Sequence, residues 1–233
     1  MFFKRNKDTE KTPPTIRITE SSSAPSSKAM VETLQSLQYY IHDLIDVLKI
    51  DFPDFCIVGF LFEFMENTIV QYEFRPAELP PYAPFHSIAG YTPDNSNTVH
   101  LAEYTAVPDK ESLIPRYVQL SSAETLFTIA HEFRHIWQRQ HHGDLYAENH
   151  AFGMAVIDDF FEIDADAFAT AYVFSSKTTF SPSDFPNVME LICLQGVADN
   201  GKRWSLSYDL AKQYSFGDTE KISSAKSSFP VKF

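Results

Sequence analysis

With 233 residues and a formal net charge of −12, the chain is long enough to bury a core of one domain with extensions, and it has no basic run to offset its acidity. A phosphate backbone is therefore excluded as the expected partner. Two cysteines, Cys56 and Cys193, are too few for a disulfide scaffold. No stretch approaches 18 uninterrupted apolar residues and the opening Met1-Phe-Phe-Lys-Arg lacks an apolar signal core, so a soluble, cytoplasmic protein with no membrane partner is expected.

Residues 1–28 are charged, then rich in Ser, Thr and Pro, and read as a disordered arm. From Val31 the pattern changes: Leu34, Leu37, Ile41, Leu44, Ile45 and Leu48 recur at three and four, which predicts one amphipathic helix ending before Pro53. Its apolar stripe is assigned to the core in preference to a partner helix. Residues 55–74 are β-branched and aromatic and predict one or two strands; the Pro-rich segment 75–84 is a loop. Ile88–Tyr91 and Thr98–Leu101 flank the turn-rich Thr92-Pro-Asp-Asn-Ser-Asn97 as a hairpin, and Tyr117–Leu120 is a further short strand.

Ser121 followed by Glu124 forms a capping-box pattern, so a helix starts near Ser122 and is expected to run to His142, with Gly143 as its stop. A second long helix is predicted over Met154–Phe174, where alternate alanines (Ala165, Ala167, Ala169, Ala171) permit close approach of another helix. Ser181-Pro-Ser-Asp and Phe185-Pro186 introduce a short helix through Leu194, a last one covers Trp204–Tyr214, and residues 217–233 read as a flexible tail. The domain proper is thus 29–216. The expected fold is α+β: a small mixed or antiparallel sheet packed on an active-site helix and a second ligand-bearing helix, with further C-terminal helices.

The chemistry is concentrated in His131-Glu132-Phe133-Arg134-His135, an H-E-x-x-H element inside the capped helix. Histidines four residues apart stand about 6 Å apart along the helix axis. Both rings can therefore turn to one Zn²⁺ at roughly 2.0–2.1 Å, with Glu132 beside them as a proton acceptor for an attacking water. A third ligand must come from elsewhere, and three sources compete. His141 fits the longer three-histidine spacing, but Gln138 replaces the glycine that would break the helix. In a continuous helix His141 lies about 9 Å beyond His135 along the axis. Asp158 or Asp159 lacks a well-placed supporting partner. Glu162 is preferred: a carboxylate on a second helix completes a His₂Glu set with one open position, and Asp166, one turn on, can accept the free ring N–H of a ligand histidine.

Phe127-Thr-Ile-Ala-His-Glu-Phe-Arg-His135, preceded by the strand-like Tyr117–Leu120 and followed by Glu162-Ile-Asp-Ala-Asp-Ala-Phe-Ala169, resembles the ImmA/IrrE family of zinc metallopeptidases. The resemblance covers about residues 116–175. It implies a zincin-like, gluzincin-type hydrolase with His131, His135 and Glu162 as metal ligands and Glu132 as general base. It further implies a protease acting on a protein or peptide substrate, narrowly on a regulatory protein. Asp166 stands where the family commonly has Asn, Arg134 at a usually small position, and Asp164 in place of a usual Glu. Arg134 is open to three readings: crowding the cleft, pairing with an acid, or pointing to solvent. Tyr91, His100, Tyr104, His150 and Tyr172 are candidates for an oxyanion donor, and an edge strand could hold an extended peptide. The competing reading is a catalytically silent zinc-binding protein with a regulatory or partner-binding role.

Overall fold

A computed structural model describes residues 15–20, 28–60, 89–93, 96–107, 116–150, 160–186 and 198–228. Within them the fold is mixed α+β, with five strands and six helices. The strands are β1 (Ile18–Glu20), β2 (Asp54–Phe60), β3 (Gly90–Tyr91), β4 (Thr98–Val107) and β5 (Arg116–Gln119). The helices are α1 (Lys28–Ser36), α2 (Gln38–Leu48), α3 (Ser122–His150), α4 (Phe160–Val173), α5 (Ala198–Ala211) and α6 (Thr219–Ser228). Among the described residues no helix is long and apolar enough to cross a membrane.

The sheet is mixed. β1 pairs with β2 and β2 with β4 in parallel, while β3 and β5 run antiparallel to β4. Strand periodicity sets its two faces. Phe55, Ile57, Val99 and Leu101 are fully buried, whereas Cys56 and His100, paired across the same two strands, are half-buried on the opposite side. The buried face meets α3, where Leu126, Ile129, Ala130 and Phe133 are completely enclosed and the Phe133 ring lies 6.0 Å from that of Phe55. The expected hairpin forms, with Gly90 opposite Leu101 and Tyr91 opposite His100. Gly90 is required for close approach: a Cβ there would fall 2.5 Å from Thr128 Cγ2. β3 is thereby seated directly on α3.

Several expectations need correction. The arm does not remain outside the fold, because Ile18–Glu20 joins the sheet beside Phe55–Ile57 and Ile16 is buried. Alternating Ile16 and Ile18 provide the driving apolar side chains within an otherwise polar stretch. The first helix is two helices, interrupted at Leu37, although the stripe from Met30 through Leu34, Leu37, Ile41 and Leu44 to Leu48 is core as expected. The helical run breaks at His142 (φ −135°, ψ 35°), where its end was expected, but a further helical segment follows directly from Gly143 to His150. A glycine permits termination without forcing it, and burial of Tyr146 against His135 and Phe161 draws the next turn onward.

The stretch assigned to a tail is likewise structural. α6 begins where Asp218 Oδ1 accepts from the N–H groups of Glu220 and Lys221, and it buries Ile222 and Ala225 completely. The helix expected at Trp204–Tyr214 starts earlier, at Ala198, and ends at Ala211. After Ser181 the chain makes a 3₁₀ turn, Pro182–Asp184, and is helical at Pro186, the last residue described before the gap. The expectations for residues 1–14, 61–88, 151–159 and 187–197, Asp158 and Asp159 included, lie outside the described residues.

Candidate metal centre

The site is built on α3, and the capping box predicted for that helix is formed. Ser121 N–H donates to Glu124 Oε2 at 2.8 Å, and Glu124 N–H donates to Ser121 Oγ at 3.1 Å. From this fixed start His131 and His135 fall one turn apart, with Nε2 atoms 2.9 Å from each other. α4 lies across them and brings in Glu162, whose Oε1 is 3.2 Å from His135 Nε2 and whose Oε2 is 3.5 Å from His131 Nε2. Four ligands at 2.0–2.1 Å around a tetrahedral ion are separated by about 3.3 Å. The three donor atoms therefore have both the chemistry and the spacing of a site for a small divalent cation, and His131, His135 and Glu162 form the one such cluster among the described residues.

Alanine brings the helices together. Ala165, Ala167, Ala169 and Ala171 are fully buried, as the sequence pattern required of a helix enclosed on several sides. α4 is held between α3 and α5.

The supporting contacts are asymmetric. Asp166 Oδ1 sits 2.9 Å from His131 Nδ1, somewhat off the line of a good ring N–H bond. Behind His135 stands Gln138, whose Oε1 is 2.8 Å from Nδ1. Tyr146 closes one side, its ring edge-on to that of His135 at 5.9 Å. Arg203, on α5, completes the centre: its Nη2 donates to Glu162 Oε2 at 2.9 Å and its Nε to Asp166 Oδ2 at 2.7 Å.

Burial by itself would lower the pKa of His131, but contacts with Asp166 and Glu162 outweigh it and hold the imidazole up at about 10. Burial would likewise raise Glu162, yet the two histidines pull it well below the ordinary carboxylate range. Asp166 is also lowered despite its burial, by Arg203 and His131. Tyr208 moves upward through burial and the nearby Asp166 charge.

Glu132 is buried, and Thr92 Oγ1 donates to its Oε2 at 3.0 Å. Thr92 is itself anchored from α3, because Arg139 donates to the carbonyls of Thr92 (3.3 Å) and Ser96 (2.9 Å). Arg134 neither crowds the site nor points to solvent. It pairs with Asp164 through Nε at 2.8 Å and lies over the Trp137 ring at 3.8 Å.

His141 is absent from the centre: it is exposed, stacked on Trp137, and bonded through Nδ1 to the Trp137 carbonyl. Tyr172 is also committed elsewhere, donating to Tyr40 O and Asp43. Tyr91 and His100 stack on each other across β3 and β4.

Sequence reasoning did not find Arg203, Gln138 or Thr92 as members of the site. Gln138 carried a usable signal, since it is one turn from His135 on the same helical face. Arg203, 41 residues beyond Glu162, carried none. No family model, no curated protein and no solved structure matches this chain.

Proposed function

We propose that the protein is a zinc-dependent endopeptidase with a zincin-like active site, as the resemblance of its two motifs to the ImmA/IrrE family implies. The observation that carries this reading is the convergence of His131 Nε2, His135 Nε2 and the Glu162 carboxylate, with Glu132 the next residue after His131 on the same helix. Three protein ligands leave one coordination position for substrate or water, which is the pattern of catalytic rather than structural zinc. His131, His135 and Glu162 would hold the ion, and zinc so bound supplies Lewis acidity that activates water and polarises the scissile carbonyl.

The remaining work belongs to the chain. Glu132 takes a proton from the attacking water as its oxygen bonds to the carbonyl carbon, then passes that proton to the nitrogen as the C–N bond breaks. Thr92 donates to one oxygen of Glu132, and the other oxygen would take the water proton. Arg203 fixes Glu162 Oε2 and Asp166 together, limiting the rotation of both carboxylates. Peptide or protein is the substrate class, and the location follows the cytoplasmic expectation from the sequence.

The test compares wild type with Glu132→Gln for protein cleavage in a cell lysate, with zinc content measured in both. Loss of a general base costs on the order of 10²–10⁴ in rate. Zinc retained by both proteins and cleavage seen only with wild type supports the reading. Equal cleavage patterns refute it, and leave a zinc-binding protein without turnover.

A further inference from the structure

We propose that Gln138 is the residue that positions His135, locking its imidazole as the Nδ1–H tautomer so that the Nε2 lone pair faces the metal centre. This rests on the reading of His135 as a metal ligand. The argument starts from the amide of Gln138, which has two chemically distinct ends. Its Nε2 lies 2.9 Å from the Phe161 carbonyl and 2.8 Å from Asp164 Oδ2. A carbonyl can only accept, so the nitrogen end must point there.

Asp164 is fixed as an acceptor by its other neighbours. Arg134 donates to Oδ2 at 2.8 Å and to Oδ1 at 3.3 Å, and Tyr214 OH donates to Oδ1 at 2.7 Å. With Gln138 these contacts account for about four lone-pair positions, the full capacity of an ionised carboxylate. The oxygen of the Gln138 amide is then the atom presented to His135, 2.8 Å from Nδ1, and an amide oxygen can only accept. Nδ1 must carry the hydrogen. His135 Nε2, 2.9 Å from His131 Nε2 and 3.2 Å from Glu162 Oε1, is the nitrogen turned toward the cluster.

Gln138 is almost wholly enclosed, and no competing solvent relieves this arrangement. His131 is backed by a carboxylate and His135 by a neutral amide, so the second histidine is oriented without added negative charge. Orienting partners of this kind are worth about tenfold to a hundredfold in metal affinity.

The experiment reads the imidazole directly. Long-range ¹H–¹⁵N correlation on labelled protein stripped with a chelator reports which ring nitrogen of His135 is protonated, and a zinc competition titration reports affinity. Wild type is expected to show Nδ1 of His135 protonated. Gln138→Met, of similar length but without the amide, is expected to lose that preference and bind zinc about tenfold to a hundredfold more weakly. A wild-type His135 without a hydrogen on Nδ1 overturns the proposal, as does a folded Gln138→Met that matches wild type in zinc affinity. The tautomer measured on wild type decides the matter even where the variant does not fold. Neither readout uses cleavage, so failure here is separable from failure of the peptidase reading.

Discussion

Replacing Arg203 by Met is the sharpest test of how the centre is held together. Arg203 pairs with two enclosed carboxylates, Glu162 at 2.9 Å and Asp166 at 2.7 Å, and the Asp166 side chain is only 4% exposed. Breaking a buried pair by removing one partner costs about 3–5 kcal/mol, because the remaining charge stays desolvated. His131, held protonated by the same acids, compensates one of the two, so the lower end of that range, ~3 kcal/mol, is expected for protein kept in chelator. With a urea slope of about 1–3 kcal/mol per molar, the unfolding midpoint should fall by roughly 1–3 M. Zinc would neutralise Glu162 in place of Arg203, so the variant should be less impaired when loaded. By linkage, each ~1.4 kcal/mol by which that cost shrinks is a tenfold gain in the variant's zinc affinity. Urea melts with and without zinc, paired with a zinc titration, measure every quantity in the cycle. A variant within about 0.5 kcal/mol of wild type in chelator, a bound set by the usual scatter of surface substitutions, would refute the argument that Arg203 is the main compensating charge.

Three further outcomes follow from the geometry. Glu162→Ala should abolish stoichiometric zinc retention while His141→Ala leaves it unchanged, checked by metal analysis after dialysis, because among the described residues only Glu162 reaches both histidines. The His131 pKa is raised from 6.5 to about 10. That contribution to the stability of chelator-treated protein is fully present below pH 6.5 and is lost as pH rises through about 10. Over the same window zinc must displace the His131 proton. Calorimetry in buffers of different ionisation enthalpy should therefore show proton release at neutral pH, fading towards pH 10. Finally, Ile222→Ala should cost about 2–5 kcal/mol in a urea melt, as for any fully buried isoleucine, whereas a residue in a mobile tail would cost nothing measurable.

The sequence revealed the local part of this architecture. Helix α3 was legible because its cap and its apolar face are written within a few consecutive residues, and the pairing of His131 with His135 follows from helical periodicity alone. Glu162 and Asp166 were legible as acids placed among Ala and Phe in a helix that had to pack against another. The small tail helix was hidden because its burial rests on two residues, Ile222 and Ala225, within a Ser- and Lys-rich composition. β1 was hidden for the same reason: three paired residues beside Ile16 are too short a signal in a polar arm. Arg203 was out of reach for a different reason. Its role depends on where α5 crosses α4, and no spacing along the chain encodes a crossing.

Arg134, Gln138 and Asp164 become a connected unit once the helices are packed. Gln138 stands where a helix-breaking glycine would admit a third histidine from the same helix, and its side chain instead spans from His135 to α4. That span requires the Phe161 carbonyl to lie within 2.9 Å, which in turn requires α4 to approach α3 closely, and the buried alanines allow it. Asp164 then faces Gln138 and must be balanced, and Arg134 supplies the charge from one turn before Gln138. Burial would raise the Asp164 pKa, but Arg134, Tyr214 and Gln138 hold it below its ordinary range, so it remains an acceptor at neutral pH. Arg134 therefore acts on the centre through Asp164 and Gln138, as part of the scaffold that aims His135. A continuous helix at Gln138 and a carboxylate brought from α4 to the histidine pair are two consequences of one packing arrangement.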